Sequence, residues 1–225
     1  MSHICGYCQK EFTSESTLLS HMCVIRTRYK EQDTPVSKLG LKLYNRFYEL
    51  NIKPSKEFRT FDEFARSKFY TAFIKLARHI RELNPIDKNR FIDWLFTNNV
   101  KEKLWCSDRT YEKYVIDLLQ KETVDRALER SISEMDKWAS EENTVFVRFF
   151  HEVSPPLATT MIRYGKISPW VLYLADSADA LWERLSDEQG EMISSVIDPK
   201  IWRKKFETNL EDRQYAKQLL DEAGL

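Results

Sequence analysis

The sequence predicts an all-α helical domain preceded by a small metal-ligated segment. Three observations carry this. Apolar residues recur at three- and four-residue spacings over almost the whole chain beyond residue 35, the period of helices that bury one face. Five glycines and seven prolines in 225 residues are too few for a loop-rich β fold or for disorder. Three of the four cysteines fall within nineteen residues near the N-terminus. With no secretory leader in the first twenty residues, that grouping reads as a metal site before a disulfide framework.

The composition supports a core, with 42% apolar and 13% aromatic residues. The length suits one mid-sized domain with a small appendage. Three stretches are expected: a finger over 1–25, a basic and polar linker over 26–35, and an all-α domain of about eight to ten helices over 36–225. The linker reading rests on "RTRYKEQDTP", which is polar and ends in proline.

Within the domain, Val36, Leu39, Leu43, Phe47 and Leu50 mark the first helix. "NIKPSKEFRT" breaks the pattern. Thr60 with Glu63 forms a capping-box signature. Phe61, Phe64, Phe69, Phe73, Leu76 and Ile80 then recur at mostly helical spacing, and Asn84–Pro85 stops the run. Phe91, Trp94 and Leu95 carry the next segment. Ser107 reads as the N-cap for a helix bearing Tyr111, Tyr114, Val115, Leu118 and Leu119. From Thr123 to Ala139 a stripe of Val124, Leu128, Ile132, Met135 and Ala139 predicts a long helix. "TVFVRFFHEV", 144–153, fits either a strand or a buried helix. Beyond it Ser168–Pro169, Ser177, Ser186 and Asp198–Pro199 are start signals for short helices.

The N-terminal segment carries the clearest chemistry. Cys5 and Cys8 form a Cys-x2-Cys turn, whose tight knuckle directs two sulfurs inward. Phe12, Leu18 and His21 follow at the spacing Cys-x2-Cys-x3-Phe-x5-Leu-x2-His. This resembles the two-Cys two-His zinc fingers and implies a ββα-like fold that binds Zn2+. The fourth ligand departs from that pattern. Cys23 comes two residues after His21, and positions i and i+2 of a helix do not share a face. If both bind, the helix ends at or near His21 and the chain returns Cys23 to the site. His3 is the alternative fourth ligand. A segment this short builds no core of its own, so binding metal would also be folding.

By the same resemblance, the base-reading positions are Ser14, Thr17 and Ser20. None is Arg, Asn or Gln, the residues that make bidentate base contacts. Sequence-specific DNA reading by this finger alone is therefore not expected. Arg26, Arg28, Tyr29 and Lys30 are the candidate nucleic-acid contacts: the cations for phosphates, the tyrosine for stacking on a base. A solvated linker is the competing reading. Leu19 lies on the outside of the finger helix, which leaves protein binding open as well.

Overall charge is balanced, thirty-five Lys/Arg against thirty-five Asp/Glu. It is graded along the chain, +4 over 1–60, +2 over 61–130 and −6 over 131–225. No apolar run reaches membrane-spanning length. The helical domain shows no Gly-rich phosphate loop, no Gly-x-Ser-x-Gly and no His-Glu-x-x-His, and nothing points to a small-molecule substrate. An enzyme is not expected. His79 and His151 are isolated. Cys106, near a helix start, reads as a small buried apolar residue. Asp93, Asp117 and Asp125 read as outward-facing charges. "RFIDWLF" and "SPWVLYLA" are dense enough in aromatics to leave a partner patch exposed.

Along most of its length the chain resembles zinc-finger proteins of large contractile-tailed bacteriophages that have no assigned activity. The finger with its His-x-Cys ending, "TFDEFARSKFYTAFIKLARHI", "NRFIDWLFTNN", "CSDRTYEKYVIDLL", "ETVDRALERSI" and "ISPWVLYLADSADALWERL" carry the resemblance. It implies a phage-encoded protein acting in the cytoplasm of an infected bacterium. The expected function is a nucleic-acid-associated accessory protein, binding DNA or RNA without strong sequence preference and docking a replication, recombination or transcription protein. The rival expectation is a protein-interaction or virion-assembly component in which the finger is purely structural.

Overall fold

The computed structural model describes residues 2–51 and 58–225. Most of the "NIKPSKEFRT" break lies outside the described residues. The chain divides into two compact units, residues 1–106 and 107–225.

The first unit opens with a two-stranded antiparallel ribbon, β1 (His3–Ile4) and β2 (Glu11–Phe12), in which His3 pairs with Phe12. Helix α1 (Glu15–Ser20) follows, then α2 (Val24–Lys30). Together β1, β2 and α1 form the expected ββα finger. The supposed linker is different: residues 24–30 are helical. A helix there carries no apolar stripe, because it docks through polar side chains described below.

The body of this unit is α3 (Pro35–Asn51), α4 (Phe61–Arg66), α5 (Tyr70–Leu83) and α6 (Lys88–Thr97). Thr60 caps α4 in a reciprocal capping box with Glu63, as its spacing predicts. Asn84 ends α5 in the left-handed conformation, at φ 45°. Gly40 lets α3 approach its neighbours: a Cβ there would lie 3.0 Å from Ile74 Cδ1 and 3.2 Å from the Phe64 ring. The core is aromatic. Phe73 sits 5.1 Å from Trp105, and Phe47 sits 5.3 Å from Phe96, ring centre to ring centre. Arg46 of α3 grips Asp93 of α6 with two hydrogen bonds of 2.7 Å, so Asp93 ties two helices together.

The second unit holds α7 (Asp108–Lys121), α8 (Val124–Glu142), α9 (Phe149–Glu152), α10 (Pro155–Arg163), α11 (Pro169–Leu172), α12 (Asp179–Trp182), α13 (Asp187–Ser194), α14 (Pro199–Thr208) and α15 (Leu210–Glu222). Thirteen helices follow residue 35 among the described residues, more than the eight to ten expected. The excess comes from single turns such as α9, α11 and α12, which are too short to show a period. The ambiguous 144–153 segment is a 3-10 turn followed by α9. Val124, Leu128, Met135 and Ala139 are buried along α8, and Ile132 is half-buried.

A buried ion pair lies inside this unit. Arg130 makes two hydrogen bonds to Glu122 and donates to Gly165 O at 2.9 Å. Ser168 Oγ donates to the same carboxylate at 3.1 Å. The Ser168 N–H donates to Ser131 Oγ at 2.8 Å. The network joins the end of α7, the middle of α8 and the start of α11, and each charge keeps a partner. "SPWVLYLA" and "RFIDWLF" leave no broad apolar patch: Trp170, Val171, Leu172, Phe91, Leu95 and Phe96 are all buried.

Candidate metal centre

The finger hairpin is short because the Cys5–Cys8 turn closes it. The Gln9 N–H donates to Cys5 O at 2.9 Å, and the Cys5 N–H donates to Lys10 O at 3.0 Å. Gln9 takes φ 61°, the left-handed conformation that folds the knuckle back on itself. Ser14 then starts α1 as its N-cap, in a capping box with Thr17.

α1 stops at Ser20, and His21 is its C-cap in extended conformation. This is the early stop that the two-residue spacing requires. The return of Cys23 has a specific means: Cys23 is the N-cap of α2, and its sulfur accepts the Arg26 N–H at 3.4 Å. One residue thus ends the finger and starts the next helix.

The result is a cluster. The side-chain ligand atoms of Cys5, Cys8, His21 and Cys23 all lie within 4.8 Å of one another, and Cys8 Sγ is 3.3 Å from His21 Nε2. Four ligands at tetrahedral metal bonds of about 2.0–2.3 Å stand roughly 3.5–3.8 Å apart, so this donor set fits one ion. Among the described residues no other group of three or more His, Cys, Asp or Glu can hold a metal in this way. His3 lies in β1 and is not a member.

The backbone prepares the sulfurs. The Cys8 and Tyr7 N–H groups stabilise the Cys5 thiolate and hold its pKa down at about 7, against a smaller opposing effect of burial. Cys8 is pushed the other way. The Lys10 N–H favours its thiolate, but burial and the neighbouring Cys5 and Cys23 sulfurs outweigh it. Like charges gathered without a cation repel, and a bound cation would relieve that repulsion. Phe12 packs its ring 4.8 Å from that of His21 and fixes the imidazole.

The base-reading positions are occupied within the finger. Ser14 Oγ accepts the Thr17 N–H at 3.3 Å, Thr17 Oγ1 donates to Ser14 O at 2.8 Å, and Ser20 Oγ donates to Thr17 O at 3.2 Å.

The basic segment behind the metal cluster divides in two. Arg26 and Lys30 are exposed. Arg28 and Tyr29 face the protein. Arg28 donates to Ala65 O at 2.5 Å and stacks 4.3 Å above the Tyr70 ring. Tyr29 lies between Tyr7 and Phe61, at 5.7 Å and 5.5 Å between ring centres. Its hydroxyl donates to Asp62, which also accepts from Arg66 at 2.8 Å. The Tyr29 bond to Asp62, aided by burial, raises the tyrosine pKa; the same bond and Arg66 lower that of Asp62. Both side chains therefore clamp α2 to α4.

Cys106 is exposed, contrary to the buried place expected from sequence. The adjacent Trp105 takes that place, with its indole N–H donating to Val100 O at 2.8 Å. Partial burial, opposed by Lys75, raises the Cys106 pKa. Asp117 pairs with Lys121 at 2.6 Å, and Asp125 accepts from Tyr215 at 2.8 Å. No described helix is long and apolar enough to cross a membrane. No family model matches the chain, and neither a curated protein nor a solved structure matches it.

Proposed function

We propose that Cys5, Cys8, His21 and Cys23 hold a structural Zn2+, and that the chain is a nucleic-acid-associated accessory protein. The observation that carries the metal reading is the closed four-ligand cluster with N–H groups donated to its sulfurs. Three thiolates and one imidazole suit zinc, and four protein ligands leave no open position for catalysis. The bound ion would supply the finger with the core that its sequence lacks.

The nucleic-acid reading rests on charge. Residues 1–106 hold nineteen Lys/Arg against twelve Asp/Glu, and residues 107–225 hold sixteen against twenty-three. The positive unit presents Arg26 and Lys30 beside the metal cluster, free to neutralise phosphates. With Ser14, Thr17 and Ser20 bonded within α1, contact is to the backbone and not to base edges. Arg28 and Tyr29 orient the finger and do not stack on bases. The resemblance to bacteriophage zinc-finger proteins supports a phage-encoded protein working in the bacterial cytoplasm, with the second unit docking a partner of replication, recombination or transcription.

A gel shift of the zinc-loaded chain on single- and double-stranded DNA and RNA, at rising salt, tests this. Arg26→Ala with Lys30→Ala weakens binding to all sequences alike and lowers the salt slope by about two. No shift on any nucleic acid at low salt sinks the nucleic-acid reading and leaves the metal reading standing.

One observation favours a second reading. Leu19, Met22 and Val24 are 76%, 91% and 62% exposed around the corner between α1 and α2. Three large apolar side chains left outward fit a protein-docking finger. In that case Leu19→Asp with Met22→Asp abolishes partner binding while metal content is unchanged.

A further inference from the structure

Within the first unit, α3 and α6 border a cavity of about 650 Å³. Cavities that take small ligands are of this size, roughly 300–1,000 Å³. Its apolar lining is half-buried Leu39 and Leu41, backed by buried Leu43, Ile80 and Ile92. Its lining also includes Lys38, Lys42 and Lys88. Lys38 reaches Asp33 at 3.6 Å, whereas Lys42 and Lys88 have no acidic partner among the described residues. The cavity's two acids, Glu49 and Asp93, are both already paired with Arg46, at 2.8 Å and 2.7 Å. The charge left for a ligand is therefore positive. Lys88 and Asn89 lie in the first turn of α6, whose N-terminal end is already capped by the Asp87 carboxylate, so the positive charge comes from the lysines.

Phe58 completes the lining. Its neighbour Arg59 is held to α3 at both backbone groups: the N–H donates to Asn45 Oδ1 at 2.7 Å, and the carbonyl accepts from Asn45 Nδ2 at 3.2 Å. Yet the Phe58 side chain is 86% exposed. A large ring is thus positioned beside an apolar cavity and left largely bare.

We propose that this cavity binds a small amphiphilic anion, a carboxylate with an unbranched apolar tail. The tail lies on Leu39 and Leu41 over the buried Leu43, Ile80 and Ile92, the carboxylate meets Lys42 and Lys88, and Phe58 covers the bound tail. The cavity shares no residue with the metal cluster, so the proposal does not depend on the zinc reading.

Amide NMR shifts of the zinc-loaded full chain, titrated with decanoate, decylammonium and decanol, test it at equal tail length and three charges. Decanoate is expected to shift Leu39, Leu43, Ile80, Ile92 and Phe58 saturably, with a Kd about tenfold below that of decylammonium. Lys42→Ala with Lys88→Ala removes that preference. Both lysines are exposed, so the melting temperature stays as in the parent chain. Phe58→Ala weakens decanoate a few-fold. The proposal is overturned if these residues show no saturable shift, if decylammonium binds as well as decanoate, or if the double variant leaves decanoate affinity unchanged.

Discussion

The finger and the helical body hold themselves together by different means. Neither α1 nor α2 contains a buried residue. Up to residue 30, only Cys5 and Cys23 are buried among the described residues. In α5, by contrast, Tyr70, Phe73, Ile74, Leu76, Ala77 and Ile80 are all buried. One region has apolar side chains to remove from water; the other has four ligands converging on a point. The same chain uses hydrophobic burial throughout its helical body, in helices as short as α4, α9 and α11 as well as in long ones. In the finger, where α1 and α2 bury nothing, four residues able to ligate one metal ion stand together instead.

Metal removal breaks the comparison most completely. Structural zinc in isolated fingers contributes about 10–16 kcal/mol of apparent binding energy, far more than the finger's few packed groups supply. Chelation is expected to collapse the amide NMR dispersion of residues 2–23 while α5 and α8 keep theirs. Phe73→Ala is the converse. Deleting a fully buried ring that packs on Trp105 and Phe96 costs about 3–5 kcal/mol in denaturant unfolding. Zinc stoichiometry is expected to stay unchanged.

The clamp between the regions is weaker. Arg28→Ala removes one hydrogen bond to Ala65 O and one stacked cation from Tyr70, about 1–2 kcal/mol together. Increased hydrogen exchange confined to α2 and α4 is the expected signature, again with metal retained.

The smallest effect is a pH dependence. Tyr29 and Arg66 hold the Asp62 carboxyl below its ordinary pKa, so folding favours its ionised form. That contribution is fully present above the unfolded carboxylate value of about 3.9 and is lost as pH falls through the lower folded value. The melting temperatures of the parent chain and Asp62→Asn are therefore expected to differ at neutral pH and to converge below about pH 4.

Sequence made parts of this comparison readable. The Cys5, Cys8 and His21 spacing, the early helix stop forced by Cys23, and the Thr60–Glu63 capping box are all local patterns, and local patterns survive in one dimension. α2 was hidden because its docking partners lie far along the chain: Tyr29 meets Asp62, and Arg28 meets Ala65. Polar side chains pack it, and helical periodicity weighs only apolar ones. The Glu122–Arg130 pair was hidden for a related reason, since charged residues at a helix end look solvated until tertiary structure encloses them. The cavity has no signature in one dimension, because Leu39 and Leu43 carry the same helical period whether they meet a neighbouring helix or border a space.

The central claim is that Cys23, not His3, completes a four-ligand zinc site. Zinc content per chain, measured on the parent protein, Cys23→Ser and His3→Ala after dialysis against a mild chelator, tests it most directly. One zinc is expected in the parent chain and in His3→Ala, and none in Cys23→Ser. Full zinc retention in Cys23→Ser, or no zinc in the parent chain, would contradict the account.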